Sequence, residues 1–490
     1  MGKIFSDYLA ALSELVVCSG GDPHVRISGA CCDSRQCQPG YLFCAMRGQR
    51  LDGHLFVEEA LQRGAAAVLS ERTVALPENM PWVTIRDAYR AFARVAETAA
   101  DFPGNSMELL GVTGTNGKTT TAYLLREILL SAGKRPGLIG TVEYDLGRGI
   151  CLPAERTTPT PFHLQKLLGE MKNNAVDYAV LEVSSHALAQ ERLGRARFAG
   201  AVFTNLTRDH LDYHGDFEQY YQAKKRLFME LLRPHHPMIV NLDDPWGERL
   251  ASELEERRPL TYTLLNKPQA LVKADNIQQD QKQSSLDLHF PDCVWHINSP
   301  LAGFFNVYNL VSAASLAYAL GIVQEPVQEA LRHCHGAPGR LQRLAGKSGL
   351  NVFVDYAHTD DALRNVLAAL RPLCKGRLFV VFGCGGDRDR TKRPLMAKAA
   401  EEGADQIIVT SDNPRFEQPK DIINDILTGF ASRQRVRVQP DREKAIQEAI
   451  AAAHPQDLIL LAGKGHETTQ ESMGLKQHFN DAEIAAKHLA

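Results

Sequence analysis

Short apolar runs recur along the chain, each closing on glycine or a polar cluster, with amphipathic stretches between them. MELLGVTG (107–114), DYAVLEV (177–183) and FAGAVFTNL (198–206) are the first clear examples. LNVFVDYAH (350–358), GRLFVVFGCGGDRD (376–389), ADQIIVTSDNPR (404–415) and DLILLAGKGHE (457–467) repeat the pattern. Such runs predict buried strands, and their alternation with helical spacing predicts a parallel α/β sheet. One helix is sharply bounded. KTTTAYLLREILLSAG opens after a glycine-rich loop, and Gly133 is placed to end it.

At 490 residues the chain exceeds what one core organises, so several domains are expected. DFPGNS (101–106) and HGAPGRLQRL (335–344) are turn-rich and mark boundaries, giving segments 1–106, 107–337 and 338–490. Hydrophobic content of 44% and charged content of 23% are globular values. The 55 lysines and arginines nearly balance 58 aspartates and glutamates, which leaves no footprint for nucleic acid or a membrane surface. No apolar stretch reaches membrane-spanning length. The opening MGKIFSDYLAALSELV has the spacing of an amphipathic helix and lacks the apolar core of a secretory leader. The 10 cysteines include no CxxC pair, and ACC (30–32) with Cys37 and Cys44 fits no zinc spacing. Reduced thiols in a cytoplasmic protein are expected.

Ligands bind outside the carboxyl ends of strands in open parallel sheets, and every unusual motif here falls at such an end. GVTGTNGKTT (111–120) finishes in Gly-Lys-Thr. Its glycines let backbone N–H groups converge on phosphate oxygens, and the following helix presents its positive end. Lys118 is placed to reach the β- and γ-phosphates, and Thr119 to offer a hydroxyl to Mg²⁺. The common phosphate-loop pattern wants glycine at 112, where this chain has Val112. A strand before, a helix after and Asn116 within the loop favour a true site over a structural turn. Gly114, Thr115, Asn116, Gly117, Lys118, Thr119 and Thr120 are the expected phosphate contacts.

TGTNGKTTT (113–121), EVSSHAL (182–188), FTNLTRDHLDYHG (203–215) and YYQAKKRLF (220–228) resemble the central domain of the Mur ligases, ATP-dependent amino-acid ligases of peptidoglycan synthesis. DSRQCQPGYLFCAMRGQRLDGHLF (33–56) resembles their N-terminal uridine-nucleotide domain. GFFNVYNLVSAASLA (303–317), PGRLQR (338–343) and VDYAHTDDAL (354–363) resemble their adenosine-binding elements. The resemblance implies three α/β domains: a small uridine-nucleotide domain, a central P-loop-type parallel-sheet ATPase domain and a C-terminal Rossmann-like domain. GCGGDRD with DNPR narrows the implied substrates to UDP-N-acetylmuramoyl-L-alanyl-D-glutamate and meso-2,6-diaminopimelate. A cytoplasmic monomer, without nucleic-acid partner or membrane insertion, is expected.

The implied reaction phosphorylates the D-glutamate side-chain carboxylate and lets an amine displace phosphate. Such a site must neutralise charge between anions and hold them in line. By resemblance Lys118, Glu182, His210 and Lys224 are catalytic, and Thr119, Glu182, His210 and Lys224 hold two Mg²⁺ ions. Alone, His210 reads as a loop histidine and Lys224 as a solvated lysine on an amphipathic helix. In the family the lysine matching Lys224 is carbamylated by CO₂ to N6-carboxylysine, a reaction open only to a neutral amine. Ser34, Thr157, Thr158, Ser184, Gln190 and Arg192 match the sugar-nucleotide and peptide contacts. Asn309, Arg340, Asp355 and His358 match the ATP contacts.

DNPR answers a problem of recognition. Meso-diaminopimelate is lysine with a second carboxylate at its far end, and arginine grips a carboxylate through a bidentate fork. Arg415 is the expected grip, with Asp412, Asn413, Pro414, Arg388, Gly463 and Glu467 completing the implied amino-acid pocket. Two rivals stay open: a lysine-adding sister ligase, and a nucleotide-binding regulator that kept the fold and lost catalysis.

Overall fold

The computed structural model describes residues 3–48, 51–346 and 349–489. They form two compact units. The first takes in Met1–Lys118, Leu129–Tyr262 and Ser315–Ile322, the second Thr119–Ile128, Thr263–Ala314 and Val323–Ala490.

The first unit contains a five-stranded sheet in the order Val16–Gly20, Trp82–Ile85, Ala67–Ser70, Tyr41–Cys44, Gly29–Cys31. Only the edge strand Val16–Gly20 runs antiparallel to its neighbour. Helix Ala88–Ala100 covers one face because Ala91, Phe92 and Val95 recur at helical spacing. Asp87 caps its start, and Asp101 ends it in a left-handed conformation. The expected N-terminal helix is shorter than its amphipathic spacing suggested. It spans Phe5–Leu12, since Lys3–Ile4 pairs with Arg26–Ile27 and Val16 is drawn into the sheet.

The same unit carries a parallel sheet in the order Pro136–Ile139, Tyr178–Glu182, Glu108–Thr113, Phe198–Phe203, Met238–Asn241, Leu260–Thr263. Glu182 lies beside Val112, and Thr113 beside Phe203. That register brings the polar strand ends into line. Val112 is fully buried within its strand, so the loop has no need of glycine there. Helix Phe217–Arg226, capped by Asp216, runs into a π-helical turn at Leu227–Leu231, which begins three residues after Lys224. Single π turns of this kind often sit at functional sites.

The second unit holds an antiparallel meander, Val272–Gln279, Ser284–His289 and Val294–Ser299, which the expectation of a purely parallel central sheet did not include. Alternating burial along Ser284–His289 gives it one dry and one wet face. The unit also holds a six-stranded sheet in the order Gln342–Ala345, Asn351–Asp355, Leu458–Ala462, Leu378–Phe382, Gln406–Val409, Val436–Val438. All but the Gln342–Ala345 edge are parallel. Separate apolar cores cover its two faces. The expected strands of this region all form, and each ends at its expected motif.

Candidate functional site

Gly114 opens the glycine loop at a positive φ of 149°, and a Cβ there would overlap Thr204 Oγ1. The segment after strand Phe198–Phe203 clamps this loop. Thr204 Oγ1 donates to the Asn116 carbonyl at 2.6 Å, and the Asn116 N–H donates to Asn205 Oδ1 at 2.9 Å. The Thr115 N–H donates to the Asn205 carbonyl at 2.8 Å, and the Thr207 N–H to Thr115 Oγ1 at 3.0 Å. Thr204, Asn205 and Thr207 lie within FTNLTRDH, but their clamping role was not read from it.

Lys118 Nζ donates to the Gly114 and Thr115 carbonyls, both at 2.9 Å. Lys224 Nζ donates to the same Gly114 carbonyl at 2.7 Å. Two lysine nitrogens thus meet at one backbone oxygen. Lys224 is only 1% exposed, and its nitrogen stands 4.5 Å over the Tyr220 ring. Burial, followed by the Lys118 charge, pushes Lys224 well below the ordinary lysine value, with Asp209 opposing. That direction favours the neutral amine over the ammonium.

Glu182 ends its strand fully buried. Thr141 donates to it twice, from N–H to Oε1 at 2.8 Å and from Oγ1 to Oε2 at 2.9 Å. Since that hydroxyl proton goes to Glu182, Thr157 donates to Thr141 Oγ1 across 3.1 Å. Thr158 Oγ1 donates to the Glu182 carbonyl at 2.7 Å and accepts the Ser184 N–H at 3.0 Å. Arg192 donates to the Thr158 carbonyl at 2.8 Å and to Gln190 Oε1 at 2.7 Å. Thr157, Thr158, Ser184, Gln190 and Arg192 are therefore one bonded set around Glu182. Ser184 also caps the short helix Ser185–Ala189. Ser34 lies elsewhere in the unit, buried, its hydroxyl donating to Glu59 Oε2 at 2.7 Å. Only its lone pairs remain for a ligand.

His210 starts the helix Leu211–His214 in a left-handed conformation, its ring 4.7 Å from that of His186. The His210 side chain is exposed, yet partial desolvation by its neighbours holds it below the ordinary histidine value, helped by Lys118 and Lys224 and opposed by Asp209. His186 falls to about 4 through burial, then through His210 and His214. A neutral imidazole is the metal-binding form. Among the described residues no group of three or more His, Cys, Asp and Glu is arranged to hold a metal ion. Glu182 offers one carboxylate of the kind Mg²⁺ takes, alongside waters and substrate phosphates.

In the second unit Thr119 and Thr120 are buried on the first turn of helix Lys118–Ser131. Thr121 Oγ1 donates to Asn309 Oδ1 at 3.4 Å, which fixes the amide of that buried residue. The Arg340 guanidinium lies 4.8 Å over the Tyr356 ring. Asp355 accepts the Leu341 N–H at 2.7 Å and the Ala357 N–H at 2.8 Å, and burial raises its carboxyl. His358 is exposed, with Nδ1 2.9 Å from the Tyr356 carbonyl. The His466 ring meets the Tyr356 ring at a tilt of 43°, with centroids 5.0 Å apart. Arg340 Nε and His466 Nδ1 are buried without hydrogen-bond partners among the described residues. A Cβ on Gly339 would overlap the Gly465 backbone, so these two loops pass in direct contact.

DNPR follows strand Gln406–Val409. Arg415 adopts a positive φ of 51° and is held there by its N–H to the Glu471 carbonyl at 3.0 Å and its carbonyl to the Met473 N–H at 2.6 Å. Its side chain, 22% exposed, lies across the glycine turn and donates Nη1 to the Gly386 carbonyl at 2.7 Å. Glu471 stands 3.6 Å from Nε. Asn413 Nδ2 donates to Glu467 Oε2 at 2.8 Å. Asp412 is buried beside Gly463, and Pro414 presents its carbonyl so close to Gly386 that no side chain fits there. Arg388 is exposed on the same turn. Beneath these loops Arg442 pairs with Asp481 at 2.6 Å, both fully buried, and donates to the Ala462 and Ser411 carbonyls. It ties two strand ends together, and loss of either charge of such a pair costs about 3–5 kcal/mol. Lys464, Glu471 and Arg442 were not singled out from sequence, although Lys464 stands inside AGKGHE.

Three family descriptions match in chain order: the Mur ligase family catalytic domain over residues 26–101, the Mur ligase middle domain over 112–317 and the Mur ligase glutamate ligase domain over 339–465. The chain is 43% identical over 485 residues to a Gloeobacter violaceus protein named UDP-N-acetylmuramoyl-L-alanyl-D-glutamate–2,6-diaminopimelate ligase, covering 98% of each chain. An Aquifex aeolicus protein of the same name is 42% identical over 466 residues, covering 95% of this chain and 94% of its own. A solved structure bearing that name superposes with a TM-score of 0.72 at 33% identity, over 100% of this chain and 99% of its own. A MurF structure from Acinetobacter baumannii, at 19% identity and a TM-score of 0.65 over 94% and 95%, shares the fold.

Proposed function

We propose that this chain, which belongs to the Mur ligase family, joins meso-2,6-diaminopimelate to UDP-N-acetylmuramoyl-L-alanyl-D-glutamate, with ATP cleaved to ADP and phosphate. The observation that carries this reading is the set Asp412, Asn413, Arg415 and Glu467 on neighbouring strand-end loops of the C-terminal sheet. A guanidinium beside carboxylates suits an amino acid whose far end is itself zwitterionic. Lysine offers no second carboxylate to that guanidinium, which disfavours the sister ligase.

A carboxylate is a poor electrophile. Transfer of the γ-phosphoryl group to the D-glutamate side chain makes an acyl phosphate, the amine of diaminopimelate attacks it, and phosphate leaves. Lys118 and the amides of Gly114 to Thr120 hold the phosphates, while Asn309, Arg340, Asp355 and His358 hold the adenosine side. Ser34, Thr157, Thr158, Ser184, Gln190 and Arg192 bind the sugar nucleotide and its peptide. Thr119, Glu182, His210 and a modified Lys224 would hold Mg²⁺, which would supply neutralisation of the phosphate charge. For Lys224 the neutral amine adds to CO₂, forming the N–C bond of a carbamate and releasing one proton. The lowered affinity of Lys224 for its proton supports this step.

The domain boundaries fall at 106/107 and 337/338. No helix among the described residues is long and apolar enough to cross a membrane, and a monomer in the cytoplasm is the proposed working form. The deciding experiment is phosphate release measured with each substrate omitted in turn. Release that requires ATP, the muramoyl dipeptide nucleotide and diaminopimelate together supports the ligase. Binding of ATP without any release identifies a non-catalytic regulator instead.

A further inference from the structure

Strand Leu458–Ala462 ends in a Gly-Lys-Gly turn, and Lys464 within it is fully buried. An ammonium has three protons to donate. Lys464 places its bonds on Glu467 Oε2 at 3.0 Å, Asn413 Oδ1 at 3.3 Å and the Thr469 carbonyl at 2.7 Å. Asp412 lies 3.9 Å away. Having no exposed surface, the lysine touches no ligand. It touches the side chains that surround one.

These bonds also decide orientation. Asn413 Oδ1 accepts from Lys464 and from the Glu471 N–H at 2.9 Å, so its Nδ2 turns toward Glu467 Oε2. Oε2 receives both the amide and the ammonium, whereas Oε1 receives no hydrogen bond among the described residues. The Glu467 side chain is 32% exposed, enough for an incoming group to reach it.

We infer that Lys464 is a positioning residue for the amino-acid substrate: by pinning Asn413 and Oε2 of Glu467, it presents Oε1 to the substrate ammonium that lies beside the carboxylate held by Arg415. This rests on the reading of these loops as the amino-acid pocket. A carboxylate bonded on one oxygen to a buried cation and an amide cannot swing, so little ordering remains to oppose binding. Asp412, raised by burial, is drawn back toward its anionic form by Arg442 and then Lys464.

The test is steady-state phosphate release by the full chain and its Lys464→Met and Lys464→Arg variants, with each of the three substrates titrated. Methionine keeps the stem and removes every donor. Its diaminopimelate KM is expected to rise about ten-fold or more, with kcat reduced less than about three-fold and the ATP KM unchanged. Arginine keeps the charge without the three-point geometry and gives an intermediate KM. A parent-like diaminopimelate KM in either variant overturns the inference, as does a joint rise of all three KM values. If the methionine variant precipitates, the arginine variant decides alone: a raised KM supports the inference and a parent-like one overturns it. A parent that never saturates with diaminopimelate defeats the proposed function instead, so the two failures are distinguishable.

Discussion

The glycine loop and the DNPR loops both stand at the carboxyl ends of parallel strands, yet they handle charge in opposite ways. At the glycine loop Lys118 and Lys224 share a backbone carbonyl, and Glu182 accepts from a neutral threonine. In the C-terminal loops cations meet carboxylates: Lys464 with Glu467, Arg415 with Glu471, Arg393 with Glu417 and Arg442 with Asp481. Burial, aided by a neighbouring cation, moves proton affinity, as Lys224 shows. Opposite charges gathered in the C-terminal loops fix directions, as Asn413 and Glu467 show. The first arrangement suits chemistry on phosphate, and the second suits recognition of a zwitterion.

The largest expected effect falls on the first region. Lys224→Arg places a permanent cation there and cannot form a carbamate, so turnover should drop about a thousand-fold or more while the protein stays folded by circular dichroism. Parent-like turnover in that variant removes the chemical reading of the buried lysine. Next comes the second region. Arg415→Ala should raise the diaminopimelate KM about thirty-fold to a few thousand-fold, the span of a lost buried charged partner, and leave the ATP KM near the parent's. A rise in both would mean that the two regions are not separable as described.

A smaller effect sharpens the role of the clamp. Thr204→Val loses the bond to the Asn116 carbonyl, and the ATP KM should rise about five- to ten-fold with the diaminopimelate KM unchanged. An unaltered ATP KM would show that the loop holds its shape without that hydroxyl. The smallest effect is on stability. Burial, then Arg340, holds His466 at about 4, below the ordinary 6.5. Between those values the unfolded chain binds the extra proton, so folding stability is lost as pH falls from about 6.5 toward 4. In urea titrations at pH 7 and pH 5, His466→Phe should lose less stability than the parent. An equal loss would assign the acid sensitivity elsewhere.

Much of this was legible in the chain because buried parallel strands are nearly pure apolar runs, and their ends are abrupt. ADQIIVTSDNPR and DLILLAGKGHE show both the strand and the loop that matters. Lys464 was passed over because a lysine in a glycine turn ordinarily points to water, and only tertiary packing buries it. The clamp by Thr204, Asn205 and Thr207 joins positions about ninety residues apart, which no local spacing encodes. The meander was overlooked for another reason. SSLDLH and VWHINS carry the two-residue alternation of half-exposed strands, but their polar positions break the apolar runs that marked the other strands. Glu182 shows the opposite balance, since a carboxylate closing an apolar strand is anomalous on sight.

The most direct test of the central claim is a competition. The chain is given ATP, the muramoyl dipeptide nucleotide and equal concentrations of meso-2,6-diaminopimelate and L-lysine, and the products are weighed by mass spectrometry. The account predicts a product carrying diaminopimelate in at least about a hundred-fold excess over lysine. Comparable amounts of the two, or lysine alone, would contradict it.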